Sequence, residues 1–369
     1  MPPETDPLRR AIDRTVDTAA NAFDLLFGGG VIELSRTPSS IIDEGPQRTV
    51  HRYEAPRRIR RDRAPVLLVP PLAAPASCFD LRPGCSLAEH LTMLGYPTYL
   101  VDYGPIGFDD RQLGLEHWVD DVIPNAVAAV SEDAGGKPVQ PVGWCLGGIM
   151  TLLAVAGERK LPVSSVALVA SPFDFTQVRL MAPVRRLAEL TGGRLVTALY
   201  RTLGGAPAPL VSLGFQLTAI ERYLGKPRFL ARNLHDRQVL AHMQAVDDYM
   251  AHMLAYPGRT FGQLYHSFFR VNELAGGTIR LSDRTIDLAD VKLPVLSVAG
   301  RGDVLAPQPA VHHVGELVPQ ARLETAPGGH LGVLTGRSAE PTTWAYLDHF
   351  LAQGDQVRSR ATVGGRSRK

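Results

Sequence analysis

The sequence contains few cysteines and no long apolar run, and each shortage argues against a class of protein. Its 369 residues include only 3 cysteines, an odd and small number that argues against a disulfide framework and favours a reducing compartment. No pair or cluster of Cys and His has the spacing of a zinc site, so no metal is expected. The N-terminus carries charges every few residues, which argues against a signal peptide or a membrane span. We therefore expect a cytoplasmic protein.

Net charge is also small, and this limits the partners that can be expected. The formal net charge of +2 gives no electrostatic reason to expect a nucleic-acid partner. Basic residues cluster only at 57–63 and in the last dozen positions, which we interpret as solvated surface and a frayed tail. With 45% hydrophobic and 21% charged residues, the composition is that of an ordinary globular protein with one enlarged domain.

Short apolar runs alternate with helical patterns over most of the chain. Six runs predict strands: residues 65–72, 97–103, 139–143, 163–170, 294–299 and 322–326. Helical patterns occur at residues 86–94, 115–132, 146–157 and 342–351. This alternation predicts an α/β fold with a mainly parallel sheet and helices on both faces.

The segments outside this alternation divide the chain into regions. Residues 8–27 have apolar side chains at helical spacing and predict an amphipathic helix, which would dock on the body of the protein, on a partner or on a hydrophobic surface. A long interruption between two strands predicts a helical cap over the carboxyl edge of the sheet. The predicted regions are an N-terminal helix with a polar connecting segment (1–64), a core (65–172 and 281–353), the cap (173–280) and a disordered basic tail (354–369).

The sharpest motif is Gly143-Trp144-Cys145-Leu146-Gly147-Gly148, at a predicted strand-to-helix junction. It has the form of the G-x-S-x-G nucleophile elbow of the α/β-hydrolase fold, with cysteine in place of serine. Side chains two positions before and after the nucleophile would clash in this strained turn, which explains Gly143 and Gly147. The start of the next helix favours a thiolate. Cys145 is therefore the predicted nucleophile, and a buried structural cysteine is the alternative.

The acid and the base of this fold follow the nucleophile in chain order. Asp303 comes after the strand at 294–299, and His330 follows the last strand in a loop that also contains a glycine pair. Of the 11 histidines, only His330 combines such a pair with the required order. Asp303 would hold the imidazole in the useful tautomer and stabilise its cation. Asp102, at the end of the second strand, is the alternative acid.

Two backbone N–H groups are predicted to form an oxyanion hole. One belongs to Leu146, directly after the nucleophile. The other belongs to Leu72 or Ala73, in the loop after the first strand, and Ala73 is the preferred candidate. Cys78 and Cys85 have no assigned base and are interpreted as inert. No glycine loop has the form that binds phosphate groups.

With these residues in place, the chain resembles the polyhydroxyalkanoate synthases, which polymerise hydroxyacyl groups from coenzyme A thioesters. The similarity covers residues 65–350. The length of the chain is most similar to that of the shorter synthases that need a second subunit. It rests on motifs in the same order: Val69-Pro70-Pro71, Phe79-Asp80-Leu81, the elbow, Ser171-Pro172-Phe173-Asp174-Phe175, Tyr256-Pro257-Gly258-Arg259, Asn272-Glu273-Leu274, Gly300–Asp303 and Gly329-His330-Leu331-Gly332. The resemblance implies thioester acyl transfer by Cys145, Asp303 and His330 without a metal.

The expected function is an acyltransferase of this type, with an acyl-coenzyme A substrate and no cofactor. Its expected partners are a second synthase subunit or a second copy of the chain, and the surface of a hydrophobic granule. Two alternatives stay open: a cysteine-dependent hydrolase of the same fold (a thioesterase or esterase) and a non-catalytic partner subunit. The stretch Ala73-Ala74-Pro75 lacks the asparagine and the basic residue usual there in synthases, and Val304 stands where many carry histidine.

Overall fold

The computed structural model describes residues 7–32, 34–55, 60, 63–179, 182, 186, 202, 205–218 and 220–366. Its strands are β1 (Ser39–Gly45), β2 (Arg48–Tyr53), β3 (Val66–Val69), β4 (Thr98–Asp102), β5 (Gln140–Trp144), β6 (Val166–Val169), β7 (Gly205–Ala206), β8 (Tyr256–Pro257), β9 (Thr278–Leu281), β10 (Arg284–Asp287), β11 (Val295–Gly300) and β12 (Ala321–Ala326). Its α-helices are α1 (Pro7–Leu26), α2 (Leu87–Met93), α3 (Leu115–His117), α4 (Ile123–Asp133), α5 (Leu146–Gly157), α6 (Ala208–Thr218), α7 (Ile220–Asn233), α8 (Arg237–Ala251), α9 (Gly258–Gln263), α10 (Gln308–His312), α11 (Val314–Leu317), α12 (Gly332–Thr335) and α13 (Ala345–Arg366). Short π-helical segments lie at Trp118–Val122, Leu264–Arg270 and Glu340–Trp344.

An eight-stranded sheet forms the centre of the molecule, in the order β1-β2-β4-β3-β5-β6-β11-β12. From β4 to β12 all neighbouring strands run parallel, whereas β1 and β2 are antiparallel strands at one edge. The inner strands β3, β5, β6 and β11 are buried along their whole length. Burial on both faces explains why they are continuous apolar runs in the sequence. The predicted mainly parallel sheet is confirmed.

Two hydrophobic cores lie on opposite faces of this sheet. In β3, Leu67 and Val69 belong to one core, while Val66 and Leu68 belong to the other. Successive side chains of a strand point to opposite faces, so this division places the cores on the two sides. Residues of α4 and α5 complete the first core, and residues of α2 and α13 complete the second. Helices therefore cover both faces, as predicted.

The edge hairpin of β1 and β2 lies within residues 1–64, where a polar connecting segment was expected after the N-terminal helix. Strand β2 pairs antiparallel with β4 and so extends the main sheet. Within the two strands of the hairpin, only Val50 and Tyr53 are buried. An edge hairpin with one face toward solvent needs few apolar residues, so its alternation is too weak to be recognised in the sequence.

The N-terminal helix forms close to its predicted bounds and docks on the inserted helices. The side-chain amide of Asn21 donates a 2.9 Å hydrogen bond to the backbone carbonyl of Leu234. Phe23 and Leu26 are nevertheless 62% and 74% exposed, so part of the apolar stripe faces outward. No helix within the described ranges is both long enough and apolar enough to cross a bilayer.

The closing helix α13 extends further than the sequence predicted. It continues to Arg366, whereas a disordered basic tail was expected from residue 354. The residues beyond 354 include no proline, and a glycine pair occurs only at Gly364-Gly365. A helix therefore meets no proline or glycine between residue 355 and that pair, and α13 continues through this part of the expected tail.

The segment predicted as a cap falls partly outside the described residues, at 180–181, 183–185, 187–201, 203–204 and 219. In its described part, α6, α7 and α8 follow one another. Just after α8, the backbone N–H of Leu254 donates a 2.9 Å hydrogen bond to the carbonyl of Ala73. This end of the segment therefore contacts the loop that follows β3. That residues 173–280 as a whole cover the site stays a prediction.

Candidate active site

Cys145 lies in the tight turn between β5 and α5. Its backbone has φ 54° and ψ −124°, a conformation that residues with a side chain rarely adopt. A Cβ added at Gly143 would meet the Cα of Gly148, and one at Gly147 would meet the carbonyl oxygen of Val69. Only glycine fits at these places, as the elbow motif requires. The turn leaves Cys145 partly exposed, in contrast to the buried Cys78 and Cys85.

His330 and Asp303 form a short, buried pair. The Nδ1 atom of His330 lies 2.7 Å from Oδ2 of Asp303, whose side chain is 0% exposed. The other carboxylate oxygen accepts hydrogen bonds from the backbone N–H groups of Leu305 and Ala306, both at 2.8 Å. Both oxygens of this buried carboxylate are therefore engaged, which holds it in one orientation toward the imidazole.

The loops that carry these two residues are bonded to each other. The backbone N–H of Gly302 donates a 2.9 Å hydrogen bond to the carbonyl of Gly328. Gly328 has φ 112°, and a Cβ there would come within 2.9 Å of the carbonyl carbon of Gly332. A glycine is needed at this position for both reasons. Gly328, two residues before His330, thus has a structural cause, because it lets the two loops pack together.

The imidazole connects Asp303 to the thiol of Cys145. Burial by itself lowers the pKa of His330, but the charges of Asp303 and Cys145 and hydrogen bonds to both outweigh it, so the pKa is raised well above its usual value. Because Asp303 engages Nδ1, the nitrogen available to the thiol is Nε2. His330 thus lies between Asp303, which engages Nδ1, and Cys145, whose charge and hydrogen bond act on the imidazole. That the three residues act as a catalytic triad stays a prediction.

The alternative acid, Asp102, is placed differently. It ends β4, which is separated from the elbow strand β5 by β3. Its carboxylate accepts a 2.9 Å hydrogen bond from the backbone N–H of Gly104. Among the described residues, the carboxylate in contact with His330 is that of Asp303. The structure therefore favours Asp303 over Asp102 as the acid.

The two predicted oxyanion donors lie at the same edge of the sheet as Cys145. Val69, the last residue of β3, pairs with Gly143 in β5, so the loop after β3 begins beside the elbow. In this loop Ala73 has φ 62° and is buried. Leu146 is the first residue of α5, where a backbone N–H has no acceptor within its own helix. Their role as oxyanion donors stays a prediction.

Sequence reasoning missed three aromatic residues near this site. The indole N–H of Trp144 donates a 3.2 Å hydrogen bond to the backbone carbonyl of His330, and the two rings lie 5.1 Å apart. Tyr249 lies on α8 and Tyr256 on β8. Burial raises the pKa of Tyr256, and the charge of Cys145 raises it further. Two features of the sequence could have indicated these residues: Trp144 directly precedes Cys145, and Tyr256 belongs to the motif Tyr256-Pro257-Gly258-Arg259.

Two motifs of the resemblance that are distant in sequence are joined by hydrogen bonds. The side-chain oxygen of Asn272 accepts from the backbone N–H of Phe175 at 3.0 Å, and its amide nitrogen donates to Asp174 at 2.9 Å. Burial would raise the pKa of Asp174, but hydrogen bonds from Thr176 and Asn272, among others, outweigh it and lower the pKa. The motifs thus mark one contact that joins the beginning and the end of the segment 173–280.

Comparison with known proteins agrees with these motifs, although no family model matches the chain. The poly(3-hydroxyalkanoate) polymerase subunit PhaC of Haloferax mediterranei is 24% identical over 353 residues, which cover 94% of this chain and 70% of that protein. The subunit of the same name from Thiocystis violacea is 23% identical, and the match covers 85% of this chain and 88% of that one. This chain is similar to the polyhydroxyalkanoate synthases. The resemblance drawn from its motifs is confirmed.

Solved structures identify the fold independently of these relatives. A structure from Acinetobacter baumannii that bears the name of a lipase matches with a TM-score of 0.50 at 16% identity, covering 96% of this chain and 99% of that one. The α/β-hydrolase fold predicted from the elbow and the strand order is confirmed. Fold and synthase-like sequence together support an enzyme of the transferase class.

Proposed function

We propose that this protein is an acyltransferase of polyhydroxyalkanoate synthase type, which transfers hydroxyacyl groups from coenzyme A thioesters through an acyl-cysteine. The observation that carries the proposal is the contact series from Cys145 through His330 to Asp303 at the elbow. The substrate class comes from relatives named as polymerase subunits, which match 94% of this chain in one case. The fold is shared by enzymes of many activities, so the relatives supply the substrate class and the site supplies the chemistry.

Acylation begins when Nε2 of His330 takes the proton of the Cys145 thiol. The sulfur attacks the thioester carbonyl carbon, and the carbonyl electron pair moves to the oxygen, where the N–H groups of Ala73 and Leu146 would stabilise the charge. When the carbonyl re-forms, the bond to the coenzyme A sulfur breaks, and that sulfur takes the proton from His330. Asp303 stabilises the imidazolium between these two proton transfers.

Acyl transfer repeats these steps with an oxygen nucleophile. The hydroxyl of a second hydroxyacyl group attacks the acyl-cysteine, its proton passes to His330, and the Cys145 sulfur leaves and takes that proton back. The product is an ester. If water replaces the hydroxyl, the product is a free hydroxy acid, so the hydrolase alternative differs only in the acceptor. The proposed steps use no metal or cofactor.

The proposed partners are a second synthase subunit or a second copy of this chain, and the surface of a hydrophobic granule. The described surface that supports them is the outer side of α1 and the residue after it. Phe23, Leu26 and Phe27 are exposed there by 62%, 74% and 77%. Adjacent exposed aromatic and aliphatic side chains are typical of association surfaces. Nucleic acid is not among the proposed partners.

The deciding experiment supplies 3-hydroxybutyryl-coenzyme A and identifies the acyl product by mass spectrometry. Both alternatives release coenzyme A, so thiol release alone does not separate them. We expect ester-linked oligomer, with Cys145→Ala as the inactive control. Free hydroxy acid as the only product, with or without candidate second subunits, would replace the synthase proposal with a thioesterase. If the wild type releases no coenzyme A under any of these conditions, the result would favour a non-catalytic subunit.

A further inference from the structure

Trp144, the residue immediately before the nucleophile, contacts the proposed base in two ways. Its indole ring lies 5.1 Å from the His330 ring, at an interplanar angle of 37°. Its Nε1–H donates a 3.2 Å hydrogen bond to the backbone carbonyl of His330. The indole is 4% exposed, so both contacts are made in the interior. We propose that Trp144 is a positioning residue that holds His330 in line with Cys145, an inference that rests on the function proposed above.

The remaining contacts of His330 leave its orientation incompletely determined. Asp303 engages Nδ1 and Cys145 acts on the other ring nitrogen, which still permits the ring to tilt about the line through the two nitrogens. The loop that carries His330 begins with Gly328-Gly329, and glycine allows more backbone conformations than any other residue. The indole face limits the tilt of the ring, and the indole N–H holds the backbone carbonyl. Together the two contacts restrict both ends of the histidine.

The position of Trp144 makes this restraint specific to the reacting pair. Trp144 and Cys145 are neighbours along the backbone. A contact made by Trp144 therefore fixes the position of the base relative to the nucleophile. Misplacement of reacting groups by about 1 Å costs about 10²-fold in rate. The charges of Asp303 and Cys145 act on His330, so a changed ring position is expected to alter proton transfer between His330 and Cys145.

A merely structural tryptophan is available in the same molecule as a matched control. Trp344 is 5% exposed, and its Nε1–H donates a 2.8 Å hydrogen bond to the backbone carbonyl of Leu334. Its ring lies 5.0 Å from the ring of His90, also at 37°. Trp344→Phe therefore removes an indole and its hydrogen bond from a ring contact with a histidine, in a cluster that has no cysteine.

The experiment compares Trp144→Phe with Trp344→Phe by kcat, KM and the pH dependence of Cys145 alkylation by iodoacetamide. For Trp144→Phe we expect kcat to fall about 10-fold with KM within about 2-fold, because the loss falls on the chemical step. The midpoint of the alkylation profile should also shift. Trp344→Phe should change kcat by less than about 2-fold and leave that midpoint in place.

A second variant separates the hydrogen bond from packing, and it serves also if Trp144→Phe does not fold. Incorporation of 3-benzothienylalanine at position 144 keeps the bicyclic shape but replaces the N–H with sulfur. A lowered kcat with an unchanged melting temperature supports positioning. The inference would be overturned if both variants at position 144 kept the wild-type kcat and alkylation profile. It would also be overturned if Trp344→Phe lowered kcat as much as Trp144→Phe does. If instead Cys145→Ala retains turnover, the proposed function itself fails, so the two failures are distinguishable.

Discussion

Two clusters in this molecule are built from the same three residue types. In one, Trp144 packs on His330, which contacts Asp303; in the other, Trp344 packs on His90, which contacts Asp348. The ring separations are 5.1 Å and 5.0 Å, and both interplanar angles are 37°. Each indole N–H donates to a backbone carbonyl. The two clusters thus share their residue types and ring geometry. His330 faces its aspartate with Nδ1, however, and His90 faces its aspartate with Nε2.

They differ in the surroundings of the carboxylate and in their neighbours. The side chain of Asp303 is 0% exposed and accepts two backbone hydrogen bonds, whereas that of Asp348 lies on α13 and is 32% exposed. Only the first cluster meets a strained cysteine at a strand-to-helix turn. A Trp–His–Asp contact is therefore not a site by itself. Such a contact becomes a candidate active site when a desolvated carboxylate and a nucleophile share the same imidazole.

The largest difference between the clusters should be seen when the cysteine is removed. Cys145→Ala should lower thioester turnover by about 10³-fold or more, because the acyl-enzyme can no longer form. Cys85→Ala, a change at a buried cysteine outside both clusters, should leave turnover within about 2-fold. Steady-state release of coenzyme A measures both. Turnover above about a tenth of the wild-type value in Cys145→Ala would end the acyl-cysteine proposal.

Removing the carboxylate from each cluster should give the next largest contrast. Asp303→Asn should lower kcat about 10²- to 10⁴-fold, since the imidazole loses its orienting acceptor and the partner of its cation. Asp348→Asn, the matched change in the second cluster, and Asp102→Asn should each cost less than about 2-fold. Circular dichroism should show all three folded. A larger loss in Asp102→Asn than in Asp303→Asn would mean that the acid is wrongly assigned.

The smallest expected effect is on the pH dependence of stability. The carboxylate of Asp303 raises the pKa of His330 in the folded state, so it stabilises the fold where His330 is protonated. That contribution is complete below about pH 6.5, the usual histidine value, and is lost as the pH rises through the raised folded pKa. The stability deficit of Asp303→Asn should therefore be largest near about pH 6 and shrink at higher pH.

Urea unfolding at a series of pH values measures this deficit, with each unit of raised pKa corresponding to about 1.4 kcal/mol. The comparison is cleanest in a Cys145→Ala background, where the thiol does not titrate. A deficit that grows with rising pH would contradict the sign of the His330–Asp303 interaction.

The sequence by itself determined the parallel sheet, the elbow and the chain order of the candidate residues. Strands buried on both faces must be apolar throughout, so β3, β5, β6 and β11 are visible as short hydrophobic runs. The elbow is visible because its backbone leaves no room for a Cβ at Gly143 or Gly147. Both signals are local, since each residue type follows from the conformation of its own segment.

Only the tertiary structure decided which of these residues meet. That Asp303 and not Asp102 contacts His330, that Trp144 packs on the same ring, and that Leu254 is bonded to Ala73 depend on loops brought together from distant parts of the chain. The edge hairpin of β1 and β2 was missed because solvent on one face removes the need for apolar residues. Contacts of this kind follow from the packing of whole elements, which no local spacing of residue types encodes.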